Sequence, residues 1–89
     1  GIADALLLAG DPERAVATAR YATTLLATYW YPYAVLAHAY TALGRPAEAW
    51  EAAQTALAYA SLTTGAKSPS PYELSRLRAV TTTAQPARP

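Results

Sequence analysis

The sequence contains no cysteine, no methionine, no phenylalanine and no asparagine, and only one histidine and one lysine. Without cysteine there is no disulfide staple, no thiolate nucleophile and no cysteine-ligated metal. His38, standing alone, leaves no His–His pair for a metal. Seven basic and six acidic side chains give a net charge of +1, too little to draw nucleic acid by counterion release. No glycine-rich phosphate loop and no nucleophile elbow is present. No leader is expected in these residues: nothing basic precedes the first apolar ones, and Asp4 interrupts them. Residues 21–44 carry no formal charge and exceed the ~20 residues that a bilayer requires. They hold threonines, His38 and a central Pro32, and their aromatics sit mid-segment rather than at two interfaces. A soluble, cytoplasmic protein without a membrane span is expected. A start at Gly1 without methionine suggests a processed chain or a segment of a longer one.

What is present is alanine, leucine and tyrosine. The 89 residues allow one domain, and 53% are hydrophobic, so the chain is not a disordered one. Gly10-Asp11-Pro12, Tyr31-Pro32, Gly44-Arg45-Pro46, Thr63-Thr64-Gly65 and Ser68-Pro69-Ser70-Pro71 punctuate it. Between them the apolar spacing is close to 3.6, which predicts five helices and no strand. The expected helices cover 2–9, 12–28, 32–43, 46–62 and 70–80, with residues 81–89 as a disordered tail or linker. Asp11 and Pro12 read as a cap and first helical residue. Ser70-Pro71-Tyr72-Glu73 reads as a capping box. The expected buried stripes are Ala15, Val16, Ala19, Ala22 and Leu26, then Tyr33, Leu36, Ala37 and Tyr40. Further on come Ala49, Trp50, Ala53, Ala56 and Leu57, and finally Leu74, Leu77 and Val80.

The chain is similar to itself at an offset of 34 residues. Ala3 falls on Ala37, Ala5 on Ala39, Gly10 on Gly44 and Pro12 on Pro46. Ala15, Ala19 and Ala22 fall on Ala49, Ala53 and Ala56. Small residues suit helices that cross closely, and glycine suits a tight turn between them. Tyr33-x2-Leu36-Ala37-x2-Tyr40, Gly44, Ala49, Ala53 and Ala56 at this period resemble the tetratricopeptide repeat. The family pattern has glycine where Ala37 stands and an aromatic where Ala53 stands, with a proline near Ser61. The second unit covers about 30–62, and 1–80 as a whole reads as one such domain. Gly44-Arg45-Pro46-Ala47-Glu48-Ala49, a further helix, then Thr64–Pro71, Glu73, Leu74 and Leu77 resemble the end of the bacterial transcriptional activator domain. That domain follows a winged helix in actinobacterial antibiotic regulatory proteins and is itself tetratricopeptide-like. These resemblances imply an all-α stack of antiparallel helix pairs, a right-handed α-solenoid fragment closed by a capping helix at 70–80. They also imply a non-catalytic protein-interaction module, the effector part of a bacterial transcriptional regulator. The alternative is a free-standing adaptor or scaffold unrelated to transcription.

By the same resemblance Tyr31, His38 and Thr41 line a concave groove that takes a protein or peptide partner. The simpler alternative for His38 is an ordinary surface histidine. In the run Tyr29-Trp30-Tyr31-Pro32-Tyr33, Trp30 and Tyr33 read as filling between helix pairs, and Tyr29 and Tyr31 as interface candidates. Because repeat arrays need about three units for a continuous core, the edge at Leu6, Leu7 and Leu8 is expected to want a neighbour, either more of the same chain or a second copy in a homodimer. Arg76, Arg78 and Arg88 read as a solvated face, not as a nucleic-acid contact. Of the carboxylates, Asp11, Glu13 and Glu73 serve helix starts. Glu48 and Glu51 lack a third metal ligand. No carboxylate stands at a spacing that makes His38 a base. No enzyme activity, metal, cofactor or small-molecule substrate is expected. The family's lysine- and asparagine-based clamp for peptide C-termini is not expected either, since Lys67 lies alone in a loop.

Overall fold

A computed structural model of the chain describes residues 2–83. Within them the backbone forms five helices and no strand: α1 (Ile2–Leu8), α2 (Pro12–Leu25), α3 (Trp30–Ala42), α4 (Pro46–Ser61) and α5 (Pro71–Thr83). A single 3-10 turn, Gly65–Lys67, precedes α5. None of these helices is long and apolar enough to cross a membrane.

The turns after α1 and α3 follow one hydrogen-bond pattern. Gly10 and Gly44 stand at φ 82° and 70°, a left-handed conformation that side chains with a Cβ seldom adopt. Behind Gly10, the Asp11 amide donates to the Leu6 carbonyl and the Gly10 amide to that of Leu7. Behind Gly44, Arg45 donates to Tyr40 and Gly44 to Thr41. Both ends satisfy their last carbonyls in the same way, so the sequence offset of 34 reappears as a repeated turn. The next helix starts differ. The Asp11 carboxylate accepts from the Arg14 amide, whereas Arg45 places its guanidinium on Glu48 and over the Tyr40 ring. The capping box at α5 forms as expected. The Ser70 hydroxyl accepts from the Glu73 amide at 3.2 Å, and the Glu73 carboxylate accepts from the Ser70 amide at 3.0 Å.

Three boundaries differ from the expectation. First, α3 begins at Trp30, two residues before Pro32. Amides in a first helical turn need no intrahelical partner, so proline fits at the third position. Burying Trp30, which is 3% exposed, favours the earlier start. Second, α2 stops at Leu25, and the freed Ala27 carbonyl accepts from the Tyr33 hydroxyl. Leu26, expected inside, is exposed in this turn. Third, α5 runs on to Thr83, so residues 81–83 are helix rather than tail. The Thr81 and Thr82 hydroxyls fold back onto the Arg78 carbonyl, and that of Thr83 onto Ala79. The rest of the expected tail, 84–89, lies outside the described residues.

Helix α3 touches all four other helices. It is therefore buried around most of its circumference, not along one stripe: Trp30, Ala34, Val35 and Ala39 join Leu36, Ala37 and Tyr40 in the core. Alanine lines the contacts. Ala15, Ala19, Ala37, Ala39, Ala49, Ala53 and Ala56 are fully buried. Trp30 and Tyr33 fill the larger gaps, as expected from their size. The Trp30 indole N–H donates to the Lys67 carbonyl at 2.6 Å and so fixes the 3-10 turn to the start of α3. Tyr33 packs its ring 5.4 Å from that of Tyr59.

A core closed by alanines leaves no room for added methylenes. Ala53→Leu is expected to cost about 1–3 kcal/mol in urea denaturation. Ala47→Leu, at an exposed position of the same helix, is expected to change stability by less than about 0.5 kcal/mol.

Candidate functional site

Two helices that do not touch each other, α1 and α5, both lean on α3. Between them lies a hollow of about 240 Å³. Its floor comes from α3: Trp30, Tyr31, Ala34, Val35 and His38. One wall is Asp4, Leu7 and Leu8 of α1, and the other is Glu73 and Arg76 of α5. On α3 the spacing of Tyr31, Val35 and His38 brings them to one helical face.

The α1 wall is tied to the floor. The Tyr31 hydroxyl donates to the Asp4 carboxylate at 2.6 Å. Burial, followed by this bond and the negative charges of Asp4 and Glu73, pushes the Tyr31 hydroxyl up to about 12. Tyr31 thus stays a neutral donor throughout the physiological range. Its ring lies among the other aromatics, 5.4 Å from Trp30 and stacked 6.2 Å from Tyr29. On the far wall the Arg76 guanidinium lies 5.7 Å from the centre of the Tyr72 ring. Burial, with a contribution from the Arg76 charge, lowers His38 to about 4. At neutral pH the imidazole is uncharged and can both donate and accept a hydrogen bond.

The three expected groove residues do not share one site. Tyr31 and His38 line the hollow between α1 and α5. Thr41, further along α3, borders a separate hollow with Gly44, Arg45, Pro46 and Thr83, and its hydroxyl is bonded to the Ala37 carbonyl. The expected edge also divides. Leu7 and Leu8 join the hollow with Tyr31 and His38, while Leu6 is half-buried against the core away from it. Sequence reasoning missed Asp4, Val35, Glu73 and Arg76. For Val35 the signal was present in its spacing from Tyr31 and His38. For Glu73 and Arg76, three residues apart on one helix, nothing in the sequence told which neighbour that face meets.

The floor and the α1 wall offer apolar surface, and the rim offers carboxylates, a guanidinium, a phenol and a neutral imidazole. The volume lies below the ~300 Å³ at which sites for drug-sized ligands begin, and suits one or two side chains of a partner. Among the described residues no three of His, Asp and Glu gather where a metal could be held. No protein-family model, curated protein or solved structure matches the chain.

The lowered His38 makes stability depend on pH with a definite sign. Between its ordinary 6.5 and about 4, the unfolded chain binds a proton there that the folded chain refuses. Stability is therefore expected to fall as the pH drops through that window. The melting temperature of the native chain is expected to decline by a few degrees between neutral and mildly acidic pH, and His38→Gln to flatten the decline. An NMR titration of the imidazole is expected to show its midpoint near 4 rather than 6.5.

Proposed function

We propose that the chain is a non-catalytic protein-interaction module of the tetratricopeptide type, the effector part of a bacterial transcriptional regulator. It works by seating a peptide segment of a partner protein in the hollow between α1 and α5. The observation that carries this reading is the hollow itself: an apolar floor on α3, bounded on both sides by helices with charged rims. A partner's apolar side chain enters against Val35 and Leu7. Its backbone meets the neutral His38 and its polar groups meet Arg76, Glu73 or Asp4. Such a site discriminates by shape and by hydrogen bonds, with little contribution from net charge.

The repeat type is supported by the two turns of identical hydrogen-bond pattern at Gly10 and Gly44, which recur at the same offset as the paired alanines. The regulatory role is supported by the resemblance over Gly44–Ala49 and over Thr64–Pro71, Glu73, Leu74 and Leu77. There the loop is held to α3 through Trp30, and α5 supplies one wall of the hollow.

The test begins with peptides selected from a display library against the folded chain. His38→Ala and Arg76→Ala are each expected to weaken the selected peptide by about tenfold while leaving helicity intact. Glu51→Ala, exposed on α4, is expected to leave binding unchanged. Affinity that neither groove variant alters would overturn the reading.

A further inference from the structure

Three charged side chains border the hollow between α1 and α5: Asp4, Glu73 and Arg76. Both carboxylates already serve the fold. Asp4 accepts from the Tyr31 hydroxyl at 2.6 Å, and Glu73 accepts from the Ser70 amide at 3.0 Å in the capping box. Arg76 is different. It is exposed, and its guanidinium rests over the Tyr72 ring, 5.7 Å from the centre. Arg14 and Arg45 each pair with a carboxylate, whereas Arg76 pairs with none among the described residues. A ring face leaves the guanidinium N–H groups open to an acceptor. The signs are also separated in space. Glu73 precedes Arg76 by about one turn of α5, and Tyr31 precedes His38 by about two turns of α3. The carboxylates act at the Tyr31 end: after burial and the Asp4 bond, the charges of Asp4 and Glu73 raise the Tyr31 hydroxyl. Arg76 acts at the His38 end: after burial, its positive charge lowers the imidazole.

Resting on the peptide-binding reading above, we propose that the seated segment carries an aspartate or glutamate two positions from its apolar anchor, and that Arg76 receives this carboxylate beside His38. Charge complementarity selects the acid and its place. At the His38 end a carboxylate meets the planar fork of Arg76 and the N–H of an uncharged imidazole. At the Tyr31 end it would face Asp4 and Glu73 and be repelled, and a basic side chain at the His38 end would be repelled by Arg76. A doubly charged phosphate fits less well than a carboxylate, since Asp4 and Glu73 border the same small hollow. The spacing follows from chain geometry. In an extended segment, residues two apart point the same way and stand about 7 Å apart. Val35 and His38 are three positions apart, about 4.5 Å along α3. An anchor above Val35 and Leu7 therefore sets the next residue on the same side just past His38, within reach of the long Arg76 side chain.

Random heptapeptides displayed on phage and selected in parallel against the native chain, Arg76→Gln and Arg76→Glu test this. The native chain is expected to enrich an acidic residue two positions from an apolar one, in one chain direction. Arg76→Gln is expected to keep the apolar residue and lose the acidic one, and Arg76→Glu to enrich lysine or arginine in its place. Replacing the acid of a selected peptide by its amide is expected to weaken binding to the native chain by about tenfold and to leave binding to Arg76→Gln unchanged. By NMR, the His38 midpoint is expected to stand higher with the acidic peptide bound than with its amide counterpart, because the carboxylate offsets the Arg76 charge. Enriched peptides that lose binding to His38→Ala but carry no acid at that spacing, or whose acid is indifferent to Arg76→Gln, overturn the assignment of the acid and leave the peptide-binding reading standing. No enrichment at all, or peptides indifferent to both His38→Ala and Arg76→Gln, overturns both.

Discussion

Close approach of helices to α3, made possible by alanine, is the constraint on which the rest of the molecule depends. Fully buried alanines on α2, α3 and α4 bring backbones together where larger side chains would hold them apart. Burying an alanine removes little apolar area from water. The close fit gains dispersion contacts, each small and collectively large. Because so many of these residues are already at zero exposure, the arrangement is intolerant of added volume. The few large core groups are placed where the alanines leave gaps: Trp30 at the start of α3, Tyr40 near its end, and Leu77 under α5.

This construction gives α3 two roles. It is the core helix, touched by every other helix, and one strip of it, from Tyr31 through Val35 to His38, forms the floor of the hollow. The walls depend on α3 as well. The Tyr31 hydroxyl holds α1 through Asp4. The Trp30 indole holds the 3-10 turn that leads into α5. Two adjacent aromatic residues thus tie both walls to the floor, one through its hydroxyl and the other through its ring N–H. The same packing lowers the basicity of His38, so the chemistry of the hollow follows from how the core is built.

Much of the helical framework was legible in the sequence because glycine, proline and capping residues act locally. Gly10, Gly44 and the Ser70–Glu73 box mark their helix ends through contacts within a few residues. The ends that were misplaced are those decided by distant contacts. The start of α3 depends on burying Trp30 beside Lys67, thirty-seven positions away. The extension of α5 depends on threonine hydroxyls turning back onto their own helix, a choice that composition alone does not reveal. The site was legible in part for a similar reason. The family resemblance grouped Tyr31, His38 and Thr41, but only Tyr31 and His38, seven positions apart on α3, lie on the face that lines the hollow. The wall residues Asp4, Glu73 and Arg76 come from elements far apart in sequence, and only the packing of α1 and α5 on α3 brings them to one place. That Leu7 and Leu8 line the hollow while Leu6 packs against the core likewise follows from how α1 is rotated on its neighbours.

The central claim, that the hollow between α1 and α5 is where a partner peptide sits, is tested most directly by NMR. A selected peptide would be titrated into the isotopically labelled chain while the backbone amides are followed. The account predicts that the largest shifts fall on Leu7, Val35, His38 and Arg76, three separate helices that meet only at this hollow. A map centred on the outer face of α4, around Glu51 and Gln54, with those four amides unmoved, would contradict it.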